Sequence, residues 1–261
     1  HRYVAGLLGL LILALAVMAW INRRDPDQPM KLPWLLLGLV IFQSALGMWT
    51  VTLLVKPAIV LAHLMGGLAT LSLIWLQYLR TRDRGKPKEV AQIPPQRFRR
   101  LRQLGMAAFL VLVAQIALGG WVSTNYAALA CPDFPTCHGE YWPEMDFEDG
   151  FTLWRELGKN YEFGVLDNQA RKAIHYSHRL GAIAALLALG AFLALLWAWG
   201  QSLLRRMAYA IGGLLFAQLA IGISVVIYGL PLWLATAHNA GAALLTLAMV
   251  TALWTLYGRR P

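Results

Sequence analysis

Four histidines stand at the edges of long apolar runs, where a polar side chain is costly and seldom idle. His1 opens the chain in "HRYVAGLLGLL", and His178 lies in "IHYSHRLGAIAAL". His63 and His238 follow in "AHLMGG" and "AHNAGA". An arginine comes directly after each of the first pair, Arg2 after His1 and Arg179 after His178. A single imidazole in a membrane serves equally well as a helix–helix hydrogen bond or as a step on a proton path. Two imidazoles at one depth on different helices can bind a heme iron from both faces. An arginine at the membrane boundary can then pair with a propionate. A zinc site would want Cys, Asp or Glu close by, and the apolar runs contain none.

The four histidines belong to a duplication. Shifted by 175 residues, "FQSALGMWTVTLLVKPAIVLAHLMGG" from Phe42 falls on "AQLAIGISVVIYGLPLWLATAHNAGA" from Ala217. Gln43 meets Gln218, Gly47 meets Gly222, His63 meets His238 and Gly66 meets Gly241. Shifted by 177, "HRYVA" falls on "HRLGA". The pattern describes one helical unit copied in parallel orientation, with two histidines per copy. Gly66 and Gly241 lie three residues after their histidines, and Ala5 and Ala182 four after theirs, on the same helical face. Small residues there are expected to make room for a flat macrocycle.

Other polar residues in the runs carry less. "AQIALGGW" at 114–121 repeats the "Q-x-A-[LI]-G" element a third time. Its counterpart in the first copy would precede residue 1, so an eighth span is expected ahead of the chain as given. Twenty residues after Gln115 stands Pro135 rather than a histidine. The three glutamines are therefore read as interhelical hydrogen bonds. His175 shares a face with His178 and could replace it as a ligand or touch the heme edge.

Positioning these groups requires membrane helices. Of 261 residues, 58% are hydrophobic and only 14% charged, against about a quarter charged in soluble domains. Seven apolar stretches, near 3–21, 32–55, 58–79, 104–125, 177–199, 208–229 and 232–256, reach the roughly 20 residues a span needs. The fold class is an all-α integral membrane protein of duplicated four-helix units, with seven helices present and eight expected in the full protein. Residues 1–79 form an N-terminal heme-binding unit and 80–103 a basic linker. Residues 104–261 form a C-terminal unit that includes an external loop, 126–172.

The net charge of +10 would suggest nucleic acid in a soluble protein. Here the loops at 22–31, 80–103 and 200–207 and the tail hold 16 of the 23 Lys and Arg. With alternating spans these loops share one face, which the positive-inside rule makes cytoplasmic. The charge is topological, and no nucleic-acid partner is expected. The prediction is a multi-pass bacterial plasma-membrane protein with loop 126–172 outside.

That loop contains both cysteines, in "ACPDFPTCHGEYWPEM". An oxidising exterior favours a Cys131–Cys137 disulfide, with two unpaired structural thiols as the alternative. "DFEDGFTLWRELG" at 146–158 has its apolar residues on one side and is expected as a short surface helix. Asp167 is a candidate N-cap for the helix carrying His178. Trp20, Trp34, Trp121, Trp142, Trp233 and Trp254 lie near span ends and are read as interfacial anchors.

Taken together, "HR" at 1–2, "AHLMGG", "ACPDFPTC", "HYSHRLGA" and "TAHNAGA" resemble the heme A synthase family over essentially the whole chain. The resemblance implies an enzyme that oxidises a methyl group of heme O to the formyl group of heme A by successive hydroxylations. It implies that His178 and His238 hold a resident heme b, and that His1 and His63 bracket the substrate heme O. Arg2 and Arg179 become propionate contacts, and Cys131 and Cys137 the external cysteine pair. Electrons would leave through heme b to an unidentified acceptor. The bilayer and the heme O-producing enzyme are expected partners, and a homo-oligomer is compatible. The family's glutamate, three residues before the first histidine, would fall before residue 1, so the chain as given is not expected to turn over. The alternative is a bis-heme electron carrier of the quinol-oxidising cytochrome b type.

Overall fold

The computed structural model describes residues 1–25, 28–82 and 93–257. Asp27, the linker segment 83–92 with Asp83 and Glu89, and the basic tail at 258–261 lie outside the described residues. The elements are α1 (Arg2–Ile21), α2 (Lys31–Thr52), α3 (Pro57–Arg82), α4 (Pro95–Thr124), α5 (Phe147–Gly150), α6 (Asn168–Trp199), α7 (Ser202–Ile227) and α8 (Leu232–Tyr257). All but α5 are long and apolar enough to cross a bilayer. A helix satisfies its own backbone in hydrocarbon, where water cannot. The chain is a multi-pass integral membrane protein, with no strand among the described residues.

Two helices start well before their apolar runs. α4 begins at Pro95 rather than near 104, and α6 at Asn168 rather than near 177. Hydropathy measures only the hydrocarbon slab, whereas a helix keeps its hydrogen bonds as it enters water. Pro95 opens α4 without cost, because an N–H at that position has no helical partner anyway. Asp167 is the N-cap of α6, but through its backbone: its carbonyl accepts from Arg171 N–H, and its side chain makes no cap bond.

The surface helix expected over 146–158 is a single turn, α5. The Asp146 side chain caps it by accepting from Asp149 N–H at 2.9 Å. Gly150 then presses on α6 so closely that a Cβ there would stand 2.9 Å from the Ala170 carbonyl. Trp121 is correspondingly no interfacial anchor. It is 3% exposed under this segment and donates from its indole Nε1 to Gly150 O at 2.9 Å.

From α4 onward the helices close into a ring, each touching its neighbours in the order α4, α6, α7, α8 and back to α4. α6 and α8 thus stand on one diagonal. Leu112, Leu189, Phe192, Leu245 and Met249 are buried in the core of this ring. α1, α2 and α3 form a row in which α1 touches only α2. The row joins the ring through α3, which packs on α4 and α8. Leu61 and Leu64 fill the space left by Gly120, and the Trp75 indole donates to Thr251 Oγ1 at 2.8 Å.

Close packing inside the ring makes one substitution informative. A Cβ at Gly105 would stand 2.9 Å from Phe192 Cε2 and 3.2 Å from Leu253 Cδ2, whereas Gly190 faces open space. Gly105→Leu is expected to destabilise the detergent-solubilised protein by about 1–3 kcal/mol, the usual cost of overpacking. Gly190→Ala should leave the unfolding temperature at or above that of the parent, as read by thermal unfolding monitored by tryptophan fluorescence.

Candidate functional site

His178 and His238 stand on α6 and α8, the two helices on one diagonal of the ring. Each is held by a glutamine from the helix preceding its own in the ring. Gln115 on α4 donates its Nε2 to His178 O at 3.0 Å and also lies 3.1 Å from His178 Nδ1. Gln218 on α7 donates its Nε2 to His238 O at 3.0 Å. The same contact recurs between α2 and α3, where Gln43 Nε2 donates to His63 O at 2.8 Å. There the second half is also made, with His63 Nδ1 3.1 Å from Gln43 Oε1.

Two glycines serve each of these clasps. Four residues after the glutamine, a Cβ at Gly47, Gly119 or Gly222 would meet the Cε1 atom of His63, His178 or His238 at 3.2, 3.0 or 2.9 Å. Three residues after the histidine, Gly66, Gly181 and Gly241 face the side chains of Gln43, Gln115 and Gln218. This corrects the expectation that Gly66 and Gly241 make room for a macrocycle, because the glutamine fills that space. It also corrects the isolation of Gln115, whose histidine lies 63 residues downstream instead of 20. The paired signals "Q-x3-G" and "H-x2-G" occur three times in the sequence and could have revealed the set.

His1 and Arg2 are exposed at the start of α1. α1 and α3, like α6 and α8, make no direct contact, so His1 and His63 stand on helices that do not touch. Val4 stands where the other histidines have their glycine.

At the N-terminal end of α6 lies the loop that follows α4, closed by the Cys131–Cys137 disulfide with both cysteines fully buried. Arg179 is engaged with this loop. Its Nη1 donates to Thr136 O at 2.7 Å, and its Nη2 to the carbonyls of Cys131 and Asp133, both at 2.8 Å. Arg179, expected as a propionate contact, thus also secures a loop. His175 is 4% exposed, with Cys131 N–H donating to its Nδ1 at 3.3 Å and Arg179 Nε facing its Nε2 at 3.4 Å. Neither ring nitrogen points at open space. Asp133 accepts from Thr136 Oγ1–H and from the backbone N–H groups of His138 and Gly139. These donors, Thr136 foremost, hold its carboxyl well below the ordinary value of 3.8.

Three polar atoms of the clasps are buried without a partner: Gln115 Oε1, Gln218 Oε1 and His238 Nδ1. Among the described residues, no three His, Cys, Asp or Glu gather as a metal site. Two imidazoles on diagonal helices, without further ligands, suit a metal that brings its own equatorial donors, as a porphyrin iron does.

Fold and site together define a class, that of multi-pass helical membrane proteins with histidines opposed across a bundle. Residues 1–250 match the family described as cytochrome oxidase assembly protein. The chain is similar to a heme A synthase of Shewanella oneidensis, 42% identical over 259 residues that cover 98% of this chain and 75% of that protein. It is 32% identical over 258 residues to a heme A synthase of Methylobacterium nodulans, covering 94% of this chain and 65% of that one. A heme A synthase of Halalkalibacterium halodurans is 28% identical over 244 residues, with 91% and 72% covered. The chain belongs to the heme A synthase family.

The Asp133 turn yields a pH prediction. A carboxyl whose folded pKa is lowered stabilises above its unfolded value and loses that contribution as pH falls through the folded one. Protease resistance of residues 131–140 should therefore stay flat from neutral pH down to about 4 and fall only below 3.8. Asp133→Asn should be cleaved faster than the parent across the neutral range, as limited proteolysis with peptide mapping would show.

Proposed function

We propose that this protein is a heme A synthase, converting a ring methyl of heme O to the formyl group of heme A by successive hydroxylations. His178 and His238 hold a resident heme b, and His1 and His63 bracket heme O in the N-terminal unit. The observation that carries the proposal is the opposed pair His178 and His238 on the ring diagonal, each fixed to a neighbouring helix through its own carbonyl. The unpartnered atoms beside them fit imidazoles that reorient slightly to meet an iron.

When bound, a heme b supplies a one-electron relay between substrate and an acceptor. The protein's own groups do the rest. His178 and His238 would hold that group, and the apolar core of the ring would keep water from the cytoplasmic side of the site. Arg2, exposed at the start of α1, would pair with a propionate of heme O. Oxidation of a methyl group releases protons along with electrons and consumes water. Sites at the outer ends of the helices give both a short route to the aqueous side. The basic loops face the cytoplasm of a bacterial plasma membrane, and segment 126–172 covers the outer face. A heme O-producing enzyme delivers the substrate through the bilayer, where its apolar tail already resides.

The test uses the full-length protein with a heme O source, followed by extraction and chromatography of the hemes. Heme A should accumulate. Finding only heme b and unaltered heme O would instead assign the protein to the bis-heme electron carriers. His178→Ala or His238→Ala should abolish the bound heme b spectrum, while His63→Ala retains it and stops heme A formation.

A further inference from the structure

We infer that Gln43, Gln115 and Gln218 are positioning residues that hold His63, His178 and His238 as Nδ1–H tautomers, so that each Nε2 lone pair faces a heme iron. The inference rests on the heme-ligand assignment above and adds what aims and tunes the ligands.

The amide orientation supplies the argument. In all three clasps the glutamine Nε2 donates to the backbone carbonyl of the very histidine it serves, at 2.8, 3.0 and 3.0 Å. Only the nitrogen end of an amide can donate, so this bond fixes which way each side chain lies. Oε1 is then the end left over, and it can only accept. A ring nitrogen that pairs with it must carry the proton, which leaves the other ring nitrogen with a lone pair. The α2–α3 clasp is already complete in this sense, with His63 Nδ1 at 3.1 Å from Gln43 Oε1.

In the ring, the same atoms wait. Gln115 Oε1 and Gln218 Oε1 are buried and unpartnered, as is His238 Nδ1. A buried acceptor left unpaired bears its full desolvation penalty. His178 Nδ1 meets the Gln115 Nε2 donor instead, an arrangement that leaves its proton on Nε2, the nitrogen a metal needs. Iron at Nε2 requires the proton on Nδ1, and the adjacent Oε1 is the acceptor that receives it. Metal ligation and completion of the clasp are thus linked, through a reorientation of imidazole and amide that pairs the stranded atoms. Gly119 and Gly222 lie against the Cε1 edge of these rings, where a side chain would crowd them. A ligand histidine whose other N–H is given to an acceptor is more basic and better oriented than one without.

The test is made on full-length protein carrying heme b, with Gln218→Leu and Gln218→Glu, and Gln115→Leu as a second site. Removing the acceptor should weaken heme b retention roughly 10- to 100-fold, as loss of such partners does elsewhere. It should also raise the midpoint potential, because a less basic imidazole favours ferric iron less. A carboxylate at 218 accepts more strongly from Nδ1–H and should lower the potential. Opposite shifts in the two variants, with the low-spin bis-histidine electron paramagnetic resonance signal preserved, are the expected result, and a purely structural glutamine would not give them. Where Gln218→Leu retains too little heme to titrate, Gln218→Glu decides alone: a lowered potential supports the inference and an unchanged one overturns it. Wild-type retention and potential in both variants would also overturn it. A bis-histidine signal that survives His178→Ala and His238→Ala would instead remove the ligand assignment beneath it.

Discussion

An imidazole inside hydrocarbon has no water to turn to, so its hydrogen bonds must come from the protein. A glutamine from the neighbouring helix reaches the ring of His63 and of His178, and donates to the backbone carbonyl of all three histidines, with His238 Nδ1 alone left unpaired. A glutamine side chain is short, and it reaches a neighbouring helix's backbone carbonyl only where the two backbones approach closely. Glycine on both partners permits this approach, one against the ring and one against the amide. Helix pairing, ring placement and glycine positions are therefore solutions to one problem. The pairs α2–α3, α4–α6 and α7–α8 follow from it.

Much of this was legible in the sequence. The seven spans, the cysteine pair and the duplicated register follow from hydropathy and spacing, because membrane helices leave little choice of secondary structure. The partner of Gln115 was not legible at a fixed spacing. In two copies glutamine and histidine lie 20 residues apart, across a short outer turn, but the third copy has the external segment inserted between them. Spatial equivalence survived where sequence distance did not. Gly66 and Gly241 illustrate a second limit: periodicity shows which face a small residue occupies, but not which neighbour fills the space above it. Trp121 illustrates a third, since a tryptophan at a span end is an anchor only if nothing external folds over it.

The external segment does more than cover the ring. Lys56, in the outer turn between α2 and α3, is 1% exposed, donates from Nζ to Arg155 O at 2.6 Å and lies 3.6 Å from the centre of the Trp154 ring. Carbonyl and aromatic face together offer the ammonium a partial substitute for water. Tyr161 N–H donates to Leu54 O in the same turn, and burial pushes the Tyr161 phenol up while its hydroxyl donates to Glu156 O. A segment that leaves α4 and returns to α6 is thereby fastened to α2 and α3 as well.

Arg179 explains why a histidine–arginine pair stands at the mouth of α6. His175, His178 and Arg179 lie on little more than one turn. The arginine binds three carbonyls of the disulfide loop, His175 receives the N–H of Cys131, and the His178 carbonyl accepts from Gln115. The loop cannot shift without moving the turn that carries His178, and that turn is tied on its other side to Gln115. Loop order and imidazole position are thus parts of one rigid connection running from the aqueous surface to the centre of the ring. In that arrangement the disulfide fixes the short loop whose carbonyls hold Arg179, and the duplicated arginine acts on His178 through the backbone they share.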